Sequence, residues 1–294
     1  SDLTTVNVTG GAGGTGDSDT DAANTGGAGG ASTYTNTAQL TATNLNVTGG
    51  AGGNGGASGS TAAGAAGSGT VGAGGAAIAD LNIATGTAQA IDTLTITGGA
   101  GGNGGDVAAG TNGGAGASGG AATAKIVGDF TGDIVLNDGA AGTAGTVVSG
   151  AGAVGTAGAG GLATVLFDGA GVQTITGNIT ADADGEGTIQ LTGDAGATAD
   201  IATFTGTVGT TDKRVKTITN GVGTALQSAK FDSAVYADTI THGIVGNWDG
   251  DNEMTMDFDG DVGFTTMTNN VGTSNTGEDA TVDFAKDATG TAIA

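Results

Sequence analysis

Apolar and polar positions alternate along short runs of this chain. Residues 4–9, 40–48, 78–84 and 90–97 set Val, Leu, Ile or Ala against Thr, Asn or Asp. That is the period of a strand with one buried face. Three of these runs lead into one phrase. It reads Val6-Asn7-Val8-Thr9-Gly10-Gly11-Ala12-Gly13-Gly14, then Leu45-Asn46-Val47-Thr48-Gly49-Gly50-Ala51-Gly52-Gly53-Asn54-Gly55-Gly56, then Leu94-Thr95-Ile96-Thr97-Gly98-Gly99-Ala100-Gly101-Gly102-Asn103-Gly104-Gly105-Asp106. A second phrase returns the chain to the next run, as in Gly74-Gly75-Ala76-Ala77, Gly119-Gly120-Ala121-Ala122 and Gly160-Gly161-Leu162-Ala163.

Two readings of the glycine stretches compete. Flexible linkers are one. The other is ordered packing of extended helices with three residues per turn, which suits glycines in triplet register. Gly-Gly-Ala-Gly-Gly-Asn-Gly-Gly resembles the polyglycine-II bundles of phage adhesin tips and of some antifreeze proteins, and the glycine-rich repeats of mycobacterial surface proteins. Ordering so much glycine costs backbone entropy, so packing of this kind needs neighbouring repeats or neighbouring subunits.

From residue 125 the texture changes, which divides the chain into a glycine-rich region with interleaved strands (1–124) and a strand-repeat region (125–294). Phe130, Phe167 and Phe204 are 37 residues apart, Phe204, Phe231 and Phe258 are 27 apart, and Phe284 follows after 26. A period of this length marks a solenoid or array, with each Phe expected over the next in one internal ladder. The fold class expected is all-β, a β-solenoid-like stack of coils carrying glycine-rich, polyglycine-II-like insertions. The phrases Ala202-Thr203-Phe204-Thr205-Gly206 and Ala229-Lys230-Phe231-Asp232-Ser233 resemble the strand repeats of large bacterial surface proteins: autotransporter passengers, outer-membrane surface antigens and surface-layer proteins. That resemblance implies an exported chain displayed outside a bacterial cell, and it carries no active-site residues.

Composition narrows the function classes. Glycine accounts for 65 residues and proline for none, which excludes collagen and leaves strand ladders uninterrupted. The formal charge is −23, from 29 acids against 6 bases, so a nucleic-acid partner is excluded. Cysteine is absent, and with it disulfides and thiolate metal sites. No apolar run reaches the length of a transmembrane helix. The chain begins at Ser1 rather than Met, as expected of a processed exported chain or a trimmed piece.

Candidate chemistry is sparse. Acids two apart in turns offer oxygen ligands for Ca²⁺: Asp182, Asp184 and Glu186, then Asp249 and Asp251, then Asp257, Asp259 and Asp261. None completes a known calcium loop, and a solvated acidic face is the competing reading. Lys213, Arg214, Lys216 and Lys230 supply four of the six bases and are candidates for docking on an acidic surface of the next subunit. Threonine rows at 33–37 and 93–97 admit ice binding, or simply strand propensity. His242 is the one histidine and Trp248 the one tryptophan, too little for a catalytic triad or a sugar cleft. No enzyme activity is expected. The expected function is a structural subunit that assembles with copies of itself into an extracellular filament, tube or surface layer. The alternative is a displayed adhesin or passenger module.

Overall fold

The computed structural model describes residues 3–18, 25–57, 71–82, 88–109, 112–149, 152–169, 171–192, 200–221, 227–243, 254–270 and 280–293. Every regular element among them is a β-strand, and every strand pair among them is parallel. The first sheet has ten strands. Its path is β1 (Leu3–Thr9), β3 (Thr41–Thr48), β5 (Ala88–Thr97), β8 (Asp129–Asn137), β11 (Val172–Thr176), β14 (Asp200–Phe204), β16 (Gln227–Phe231), β18 (Met254–Phe258) and β20 (Ala280–Phe284), with β12 (Ile179–Ala181) also on β8. The second has nine: β2 (Ser32–Asn36), β4 (Ala77–Asn82), β7 (Ala122–Val127), β10 (Ala163–Phe167), β13 (Glu186–Leu191), β15 (Val215–Asn220), β17 (Val235–Gly243), β19 (Val262–Asn270) and β21 (Ala288–Ile293). Two short strands, β6 (Val107–Ala109) and β9 (Val147–Ser149), form a small third sheet.

The chain visits the two large sheets in turn, so each circuit adds one strand to each. One row of residues tracks this ascent. Val6, Leu45, Leu94, Ile134 and Ile179 are successive register partners, and bridges carry the row on through Val208 and Val235 to Val262 and Ala288. It starts in the first sheet and ends in the second, which ties the two together. Leu45 to Val235 along this row are buried within one continuous core. Alternation within each strand supplies that core: Leu45 and Val47, Leu94 and Ile96, Ile134 and Leu136 all point inward from neighbouring strands.

The phenylalanines separate into two sets. Phe204, Phe231, Phe258 and Phe284 stack in one column, with ring centroids 4.8, 5.0 and 5.4 Å apart and ring planes within 11° of parallel. Phe167 lies in the opposite sheet and meets Phe204 edge-on at 5.1 Å and 80°. Phe130 shares the first-sheet column, but Ile175 stands between it and Phe204. The single ladder expected from the spacing is therefore a four-ring stack, capped across the core by Phe167. Equal spacing along the chain does not distinguish a strand of one sheet from a strand of the other.

The glycine stretches bond to one another. Residues 10–16, 49–55, 98–104 and 139–145 leave the first sheet side by side. Gly10 donates its amide to Thr48 O, Gly13 to Ala51 O and Gly16 to Asn54 O, and the same step recurs from 49–55 to 98–104 and on to 139–145. Residues 27–31, 72–76, 113–121 and 153–162 return toward the second sheet in a second row with the same three-residue spacing, as in Gly116 to Thr156 O and Gly119 to Ala159 O. Bonds also cross between the rows, Gly53 to Gly27 O and Gly75 to Gly50 O among them. In each triplet the first glycine faces the next circuit and the second faces the previous one. A Cβ on Gly98 would lie 1.9 Å from Gly120 O and 2.8 Å from the Gly139 nitrogen, and one on Gly99 would lie 2.1 Å from Gly50 O. The third position points to solvent and takes a side chain. There Asn54 Oδ1 accepts the Asn103 amide at 2.9 Å, and Asn103 Oδ1 accepts the Thr143 amide at 2.9 Å.

Candidate functional site

The sequence singles out two charged groups. Lys230 projects from β16 in the first sheet, next to Asp257 on β18. Its Nζ lies 2.9 Å from Asp259 Oδ2, 3.5 Å from Asp232 Oδ1 and 3.9 Å from Asp257 Oδ2. The two carboxylates that β18 and the following turn put on one face thus meet an ammonium from the preceding circuit. The Asp259 hydrogen bond, and then the charges of Asp259, Asp232 and Asp257, hold the lysine above its ordinary pKa. Its contribution to stability is complete below the ordinary lysine value and is lost as pH climbs through the raised one. Lys230→Met leaves three carboxylates without their cation. It is expected to lower Tm in low salt, with the loss shrinking as ionic strength rises; thermal melts across a salt series read this directly.

Lys213, Arg214 and Lys216 lie at the entry to β15 in the second sheet, separated from Lys230 by the sheet assignment. Lys213 and Arg214 meet the acidic turn one circuit earlier. The Arg214 amide donates to Asp184 Oδ1 at 2.9 Å, and Lys213 Nζ stands 3.9 Å from Asp182 Oδ1. The Arg214 guanidinium donates to Thr265 Oγ1 at 3.4 Å, while Lys216 is exposed. Glu186 opens β13 opposite Val215, and Asp261 is exposed before β19. Asp249, Asp251 and Trp248 lie outside the described residues. Among the described residues, no three acidic or histidine side chains converge as a metal-binding group.

His242 is fully buried on β17, with Nδ1 and the Asn220 side-chain nitrogen 3.1 Å apart. Buried glutamines pin the turns between sheets: Gln89 Oε1 accepts the Leu40 amide at 2.8 Å, and Gln173 Nε2 donates to Gly128 O at 2.5 Å. These polar groups serve the coil itself. Nothing in the sequence pattern announced the two glutamines, because their partners are backbone atoms 49 and 45 residues away in the chain.

The remaining surfaces of note are the two ends of the stack. At the N-terminal end, among the described strands, β1 pairs only with β3 and β2 only with β4. Leu3 is 43% exposed, and Val6, Val8 and Tyr34 are partly buried. At the C-terminal end β20 and β21 are the last strands of their sheets. Val282 and Phe284, the final ring of the stack, are likewise only partly covered. No helix among the described residues is long and apolar enough to cross a membrane. Comparison with protein families, curated proteins and solved structures gave no match.

Proposed function

We propose that this chain is a structural subunit that assembles with copies of itself into a filament, tube or layer outside a bacterial cell. One observation carries the reading: a parallel stack whose core column and strand ladders run on to the first and last described strands, with their outer edges uncovered among the described residues. An edge strand with unpaired amides and carbonyls is a template for another strand, and here both edges add half-covered apolar side chains that a neighbour would bury.

The glycine rows fit this role as polyglycine-II-like packing carried on the side of a β-helical stack. The three-residue spacing of their donors supports that assignment, as does the alternation of two packed positions with one outward position. Backbone-to-backbone bonding of this sort builds a wide, stiff subunit from small residues. The display outside a bacterial cell rests on the resemblance of the strand repeats to surface proteins.

Electron microscopy of the purified chain tests the proposal, with regular polymers expected at neutral pH. Leu3→Lys and Thr281→Lys put a charge on each end strand at surface positions, where the fold tolerates it. The pair is expected to abolish the polymers while leaving circular dichroism unchanged. Polymers that persist in the double variant would sink the reading.

A further inference from the structure

The two boundaries of the glycine rows are built differently. Toward the C-terminal side the rows stop at residues 139–145 and 153–162, because the following circuits have no glycine stretch. There five of the six positions that face the next circuit carry side chains, Asp138, Ala141, Ala144, Val154 and Ala157; the sixth, Gly160, stays glycine, with Gly139 O 3.5 Å from an added Cβ. Val154 is 63% exposed. Side chains cover this boundary everywhere but at Gly160, beside β10.

The N-terminal boundary also has no neighbour within the described chain, yet it keeps its glycines. In the interior, a Cβ at the positions facing the previous circuit would strike backbone: 2.0 Å from Gly11 O at Gly50, and 1.9 Å from Gly14 O at Gly53. The same positions in the first stretch are Gly11 and Gly14, where an added Cβ meets nothing within 4 Å. Neither has the positive φ that would call for glycine. Among the described residues nothing requires glycine at these two positions, where it costs conformational entropy. This edge also offers both halves of a backbone ladder. Among the described residues, the Gly11 and Gly14 amides donate to no carbonyl, and the Ala12 and Thr15 carbonyls accept from no amide. The open edge of β1 continues it, with Leu3 exposed and Val6 and Val8 half-covered.

We infer that the N-terminal edge, β1 followed by Gly10–Thr15, docks on the same edge of a second copy across a two-fold axis. This rests on the assembly reading above and names the face that assembles. The described circuits beyond residue 162 carry no glycine rows, so a head-to-tail partner leaves Gly11 and Gly14 uncovered. A two-fold partner brings glycine to glycine and sets free amides against free carbonyls, as an isologous contact requires. Antiparallel contact between glycine stretches already occurs inside the chain, where the Gly27 amide donates to Gly14 O and the Gly30 amide to Gly11 O. Asp17 occupies the next position in the series, so the shared stretch ends before it. Contacts of this kind at one end, alternating with a second contact at the other, propagate a polymer without head-to-tail polarity.

The chain has no cysteine, so single-cysteine variants report contacts cleanly. Ala12→Cys, treated with a short bis-maleimide, is expected to give covalent dimers by itself. Adding Gly11→Val and Gly14→Val should abolish those dimers while the monomer melts unchanged. Dimers that survive the valines overturn the inference. So do crosslinks that form only when Ala12→Cys is mixed with Thr281→Cys. Either result leaves self-assembly standing. A chain that stays monomeric at every concentration removes both readings.

Discussion

Phe231→Ala is expected to cost about 3–5 kcal/mol of stability. Phe231 is fully buried between Phe204 at 4.8 Å and Phe258 at 5.0 Å, nearly parallel to both. The truncation removes a large apolar surface and leaves a cavity that a rigid strand stack collapses poorly around. It also removes two ring pairs, each worth about 0.5–1.5 kcal/mol beyond its area. Each circuit of a stack contacts mainly its neighbours, so the loss falls on the interface between circuits. Hydrogen exchange should then show β16, β18 and β20 opening before β3 and β5. Phe284→Ala, stacked on one side only at 5.4 Å, should cost clearly less. Equal losses at the two positions would contradict the column.

The second large effect is expected from one methyl group. A Cβ at Gly102 would lie 2.1 Å from Gly53 O and 2.7 Å from its carbonyl carbon. The obstacle is backbone on a neighbouring stretch, which cannot rotate away as a side chain can. Gly102→Ala must push the stretches apart. That weakens the Gly102 amide's bond to Gly72 O and the Ala117 amide's bond to Gly102 O, both 2.9 Å long. Overpacking costs about 1–3 kcal/mol and each lost bond about 1 kcal/mol more, so the expected loss is roughly 3–5 kcal/mol. In the monomer Gly14→Ala meets open space and should be neutral or stabilising by about 0.4–1 kcal/mol, through the unfolded state alone. Denaturant melts of the two variants under monomeric conditions give the comparison. Flexible linkers would make both substitutions alike.

Much of this architecture was legible in the chain. The run at 40–48 became β3, 90–97 lies within β5, and 78–84 largely overlaps β4, because alternation between a buried and a solvent face is a local property. β2 was harder to see. In Ser32–Asn36 the buried position at its start is a serine and the central Tyr34 is only half-covered, so hydrophobic period alone does not mark it as a strand. The phenylalanine beat correctly gave the period of the C-terminal circuits, yet it could not assign Phe167 to the second sheet. The charged groups were legible only through register. Lys230 precedes Asp257 by 27 residues, one full circuit, and that interval puts ammonium beside carboxylate. Read as composition, Lys230 groups with Lys213; read by circuit, it belongs with Asp257 and Asp259. The difference between the two boundaries of the glycine rows needed coordinates, since triplet register shows where glycines fall and not what each one faces.

The assembly claim is tested most directly by sedimentation velocity of the purified chain over a wide concentration range. Species far heavier than the 27.1 kDa monomer are expected, growing with concentration and collapsing to monomer when both end strands carry lysine. A single boundary at the monomer mass throughout that range would contradict it.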